Sequence, residues 1–108
     1  GRARFRYADL DLGGGQVLEL LEYLTPKGTP RHPNVYDPGS GHLAVRVADL
    51  DAALRRLARE GISPRSKPVT LEEPPWWAGA RVVYVTDPDG VTVELVERRP
   101  KERHRATP

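Results

Sequence analysis

Gly41-His42-Leu43-Ala44-Val45-Arg46-Val47 is the stretch from which the rest of the chain can be read. Its apolar residues come at every second position, the period of a strand with one buried face. Leu43, Val45 and Val47 fall on one side; His42, Ala44 and Arg46 fall on the other. Asp49 follows as a good N-cap. From Leu50 to Glu60 the apolar residues recur at 50, 53, 54, 57 and 58, the stripe of an amphipathic helix. Asp51 lies near the positive end of the helix dipole, and Gly61 suits the closing position. The stripe is expected to bury against Leu43, Val45 and Val47, at about 25 cal/mol per Å² of apolar surface. His42 then points to the opposite face.

Upstream, Arg4 to Leu12 alternates as a strand, and Gly13-Gly14-Gly15 supplies a tight turn. Gln16 to Leu24 returns as the second strand of a hairpin, although its Leu and Glu residues also suit a helix. No Lys-Ser/Thr follows the glycines, so a phosphate loop is not expected. The segment 25–40 is a Pro- and Gly-rich linker, and its His32 is expected to be solvated. Downstream, Ser63 to Gly79 reads as a strand-like segment broken by prolines, ending in Trp76-Trp77. Arg81 to Thr86 is a strand, Asp87-Pro88-Asp89-Gly90 a type I turn, and Val91 to Val96 the partner strand. Glu94 shares a face with Thr92 and Val96, whereas Val93 and Leu95 look toward the helix. Glu22 and Glu97 fall on the other strand face and are expected to be surface or sheet-edge groups.

The 108 residues fit one domain. The chain contains no run of about 18 apolar residues, so no membrane span is expected; no signal peptide is expected at its start. Cysteine is absent, which excludes disulfides, thiolate zinc sites and cysteine nucleophiles and suits a cytoplasmic protein. A metal site here would use histidine, carboxylate and water. The formal charge of +2 is uneven, with five of the seventeen Lys and Arg residues in the tail after Glu97. That basic tail, 98–108, is expected to be solvated. With one Phe and no basic strand interleaved with aromatics, a nucleic-acid platform is not expected.

The two glutamate strands repeat. Leu18-Glu19-Leu20-Leu21-Glu22 matches Val93-Glu94-Leu95-Val96-Glu97 at an offset of 75 (94 − 19), and Gly15 matches Gly90 at the same offset (90 − 15). The chain therefore reads as the end of one module, 1–24, then the linker and one full βαβββ module, 41–97. The first module's opening strand would precede Gly1.

Together the His42 strand with Asp49-Leu50-Asp51, the Asp87–Gly90 turn and Thr92-Val93-Glu94-Leu95-Val96-Glu97 resemble the vicinal oxygen chelate superfamily, the glyoxalase, bleomycin-resistance and extradiol-dioxygenase group. The resemblance runs through nearly the whole chain to Glu97; the combination is specific, whereas each motif alone is weak. It implies an α+β fold in which paired βαβββ modules form a cup-shaped mixed sheet, the first module N-terminally incomplete. It also implies a metal at the centre, with His42 and Glu94 on the second module's ligand positions and Glu19 on the first module's. The first module's histidine position precedes Gly1, so three of four ligands fall within the chain. One imidazole and two carboxylates suit Zn, Ni, Co, Mn or Fe without choosing among them.

For function, the resemblance implies a divalent-metal-dependent lyase or isomerase acting on a small oxygen-chelating substrate through an enediolate, with Glu19 or Glu94 moving the proton. Arg46, Trp76, Trp77 and Tyr84 are the candidate substrate-binding residues. One alternative is a non-catalytic drug-binding protein of the bleomycin-resistance type, in which His42 and the glutamates merely line a polar cleft. The other is an extradiol-type dioxygenase, against which Glu19 counts. A homodimer is expected from the resemblance.

Overall fold

Three consecutive glycines turn the chain at its first hairpin. Gly13, Gly14 and Gly15 all take positive φ, at 85°, 63° and 81°, a region where a Cβ is strained. They join β1 (Arg4–Gly13) to β2 (Gln16–Thr25) as an antiparallel pair. The computed structural model describes residues 1–31 and 33–98, and the chain divides into two units, Gly1–Arg31 and His32–Pro108. The hairpin makes up the first unit. Cross-strand partners Phe5 and Tyr23 stack with ring centroids 5.7 Å apart. Arg6 Nε donates to Glu22 Oε1 across the strands at 2.8 Å, so Glu22 is the surface group expected. Phe5, Tyr7, Leu10, Leu20 and Leu21 all remain exposed.

The second unit holds β3 (Leu43–Arg46), α1 (Leu50–Arg59), β4 (Val69–Thr70), β5 (Arg81–Thr86) and β6 (Thr92–Glu97). Its sheet runs β3-β6-β5-β4, with β3 parallel to β6 and the other pairs antiparallel. The architecture is mixed α+β: two sheets and one helix among the described residues. No described helix is long and apolar enough to cross a membrane.

Helix α1 forms where the sequence predicts it. Asp49 is extended and its Oδ1 accepts from Ala52 N at 3.0 Å. The far end closes on Gly61, φ 79°: Gly61 N–H reaches Ala58 O and Ile62 N–H reaches Leu57 O, the paired bonds of a Schellman ending. Leu50, Val83, Val85 and Leu95 form the buried cluster, with Val45, Val47, Leu54 and Leu57 partly buried around it. The helix therefore seats chiefly over the two central strands, not over the Leu43/Val45/Val47 face alone. β3 is an edge strand, and the fuller apolar cover lies on β5 and β6. Ala58, predicted in the stripe, is exposed.

Three expectations need correction. The strand predicted over 41–47 is paired as β-structure only over Leu43–Arg46, so His42 stands just before it. Between Ser63 and Gly79 only Val69 and Thr70 pair, against Val82 and Arg81. Prolines, which lack the N–H a ladder needs, leave the rest as loop and a 3-10 turn over Pro75–Trp77. Glu97 is not a surface group: its Oε2 accepts the backbone N–H of Leu50 at 2.8 Å, and its side chain is only 13% exposed. Arg81 joins the same corner through two bonds to Asp51, 3.1 and 3.2 Å, and lies 3.6 Å from Glu97. The Asp51 carboxylate holds the Arg81 guanidinium above its ordinary pKa. His32 and the basic tail beyond Arg98 lie outside the described residues.

The repeat seen in the sequence extends to strand register. β1–β2 pairs Asp9 with Glu19, Tyr7 with Leu21 and Asp11 with Val17; β5–β6 pairs Tyr84 with Glu94, Val82 with Val96 and Thr86 with Thr92. Every one of these pairs maps onto its counterpart at the same offset of 75 (84 − 9, 94 − 19).

Candidate functional site

The face of the second sheet away from α1 carries the site residues that the sequence predicts on this sheet. On β5, Val83 and Val85 are buried toward the helix, so Val82, Tyr84 and Thr86 face the other way. On β6, Thr92, Glu94 and Val96 are their register partners. Parallel pairing sets Ala44 beside Glu94 and Arg46 beside Val96. His42, at the entry to β3, folds over this face. Its Nε2 lies 2.9 Å from Glu94 Oε1, and its ring meets Tyr84 edge-on, centroids 5.5 Å apart at 74°. The side chains of His42 and Glu94 are 37% and 20% exposed, so both remain open to a ligand.

The structure thus brings together His42, Glu94 and Tyr84 of the predicted site residues. Arg46 occupies the same face, one register step from Glu94, and is exposed. Trp77 lies beneath the Arg98 guanidinium, 4.9 Å from its ring centroid, while Arg98 Nη2 donates to Trp76 O at 2.8 Å. Trp76 is 63% exposed. Among the described residues no hydrogen bond or ring contact joins Arg46, Trp76 or Trp77 to the His42–Glu94 pair. Glu19 belongs to the hairpin unit, where it is exposed and stands directly across from Asp9. Two carboxylates opposite each other on adjacent strands repel, so a cation at that position would be stabilising.

The His42–Glu94 pair fits a metal ion. An imidazole nitrogen and a carboxylate oxygen are both donors that divalent ions take, and these two stand 2.9 Å apart, in hydrogen-bond contact. Within the second unit, the described residues add no third His, Asp or Glu to complete a metal-binding group.

A residue the sequence did not flag lies on the same face. Arg65, in the loop after α1, donates from Nε to Thr86 Oγ1 at 2.8 Å and from Nη2 to Thr92 Oγ1 at 2.7 Å. Its position between Pro64 and Pro68 has no periodicity that could have indicated where it docks.

Comparison with known proteins agrees with the fold. Residues 4–95 match the profile of the Glyoxalase/Bleomycin resistance protein/Dioxygenase superfamily. A 2-epi-5-epi-valiolone epimerase of Actinomyces sp. is 41% identical over 95 residues, 87% of this chain and 51% of the relative. Uncharacterized protein YaeR of Escherichia coli (strain K12) is 34% identical over 90 residues, 83% of this chain and 64% of that one. The chain therefore spans about half the length of the first relative and under two thirds of the second. The crystal structure of SMU.1112c aligns with a TM-score of 0.65 at 26% identity, covering 86% of this chain and 70% of its own. On its sequence, the chain belongs to the Glyoxalase/Bleomycin resistance protein/Dioxygenase superfamily.

Proposed function

We propose that this protein is a divalent-metal-dependent isomerase of epimerase type. Its substrate would be a small molecule with a hydroxyl beside a carbonyl; the Actinomyces relative is named as an epimerase. The observation that carries this reading is the His42–Glu94 contact on an accessible sheet face beside Tyr84. His42 and Glu94 would hold the metal, with Glu19 as a third ligand. Glu19 is supported by its register equivalence to Glu94 and by its repulsive pairing with Asp9. When bound, the metal supplies a Lewis acid that polarises a substrate carbonyl.

This chain's own groups do the remaining work. Epimerisation removes a proton from the carbon next to a carbonyl and returns one to the opposite side. Carboxylates such as Glu94 and Glu19 can take and return that proton when positioned within hydrogen-bond reach. Tyr84 holds the His42 ring by its edge, which limits the orientations available to Nε2. Arg46, Trp76, Trp77 and Tyr84 would contact the substrate.

The same reading includes paired βαβββ modules around a cup and a homodimer. The exposed apolar residues of the β1–β2 hairpin support it, because a two-stranded hairpin is marginal in water until it is covered. Sedimentation of the full chain tests the assembly.

Metal analysis of the purified full chain, alone and after incubation with Zn, Ni, Co, Mn or Fe, tests the function. The expected result is one metal per site in the wild type, lost in H42A and E94Q, with deuterium from solvent entering a small α-hydroxyketone. A wild type that retains no stoichiometric metal would turn the reading to a non-catalytic small-molecule binder. Iron retention with oxygen consumption on catechols would turn it to a dioxygenase.

A further inference from the structure

Arg65 is held unusually firmly for an exposed arginine. Its backbone N–H bonds Tyr84 O at 3.0 Å, and its guanidinium is fixed on the hydroxyls of Thr86 and Thr92. Thr92 is buried, 6% exposed, so one anchor belongs to the sheet interior. Both anchors are neutral, and among the described residues Arg65 forms no ion pair. A guanidinium has five N–H donors; the two bonds described leave donors on Nη1 and Nη2 for something else. A side chain fixed in advance gives up less rotamer freedom when a ligand arrives.

Its surroundings form a place for that ligand. A cleft of about 340 Å³ is lined by residues 33–36 with Arg65, Thr86 and Gly90. That volume is in the range of small-molecule pockets, and exceeds what a bare inorganic ion needs. Thr86 and Thr92 are register partners, two residues along the strands from Tyr84 and Glu94 on the same face. Two residues of strand span about 6.7 Å, so a molecule of a few carbon atoms reaches from Arg65 to the His42–Glu94 pair.

We propose that Arg65 is a substrate-positioning residue that binds an oxyanion, a carboxylate or a phosphate, on the substrate's end remote from His42 and Glu94. The inference rests on reading that face as the substrate side. Arg65 is suited to it because a planar guanidinium meets a carboxylate or phosphate through two parallel bonds. The backbone bond to Tyr84 O already ties the loop to β5, so a structural tie alone leaves the remaining donors without a purpose.

The test is titration of the full-length protein with inorganic phosphate and, separately, with malonate, followed by NMR at the Arg65 Nε–H and at the amides of Asn34, Tyr36 and Gly90. Saturable shifts at these signals are expected, and the tighter of the two probes identifies the oxyanion. R65Q should weaken binding about tenfold or more, and R65K less. No saturation with either probe, or equal binding by R65Q, overturns the proposal. The wild-type map and R65K decide the matter should R65Q not fold. Metal bound without oxyanion binding removes this inference alone; oxyanion binding without metal removes the isomerase reading and leaves the oxyanion site.

Discussion

Glu97 Oε2 accepts the backbone N–H of Leu50, so the last described strand caps the first turn of a helix 47 residues earlier in the chain. Leu50 is fully buried, and that N–H has no water to turn to. E97A should therefore destabilise the protein by about 1–3 kcal/mol, the cost of orphaning a buried donor. E97Q keeps an acceptor and should cost less. Urea unfolding followed by circular dichroism measures both.

The Arg81–Asp51 pair beside it should behave differently. Asp51 is 59% exposed although the pair makes two bonds. Solvent screening weakens such a pair, so D51N should move the urea midpoint far less than E97A.

Leu50 centres the buried cluster with Val83, Val85 and Leu95. L50A leaves a cavity in this cluster, and about 2–5 kcal/mol of stability should go with it. The same denaturation series checks this against E97A.

Gly61 ends the helix at φ 79° with open space around the position a Cβ would occupy. The cost of G61A is therefore conformational and not steric, about 1–2 kcal/mol. G61N, which visits the left-handed region more readily, should recover part of it, as thermal melts of the two variants can measure.

A divalent ion that bridges His42 and Glu94 binds the folded state alone and should raise the melting temperature as its concentration rises above its Kd. Zn or Ni added to the wild type should show this in a thermal shift assay, while E94Q should melt at the same temperature with or without metal. An unchanged wild type would count against the ligand role of the pair.

Much of the fold was legible in local pattern. The helix, its Asp49 cap and its Gly61 ending follow from residues within one turn of each other, and the β5–β6 hairpin from alternation around the Asp87–Gly90 turn. The repeat offset of 75 recovered the register equivalence of Glu19 and Glu94. The remainder depended on distant partners. Nothing in Leu43–Arg46 specifies that it lies parallel to β6, because that pairing joins residues about fifty apart. Glu22 and Glu97 are equivalent in the repeat, yet one pairs with Arg6 on the surface and the other caps α1. The difference comes from the helix beside β6, not from the strands themselves. Arg65 was invisible for the same reason: its role is set by two threonines more than twenty residues away.

The parallel seam between β3 and β6 has a kinetic consequence. His42 and Glu94 are neighbours only once that seam has closed, and contacts between segments far apart in sequence are slow to form because the intervening chain must first be ordered. The contact between the two side chains is therefore expected to form after the local helix and the β5–β6 hairpin. Nascent or partly folded chains, whose edge strand has not yet docked, would have the histidine and the glutamate without the contact between them.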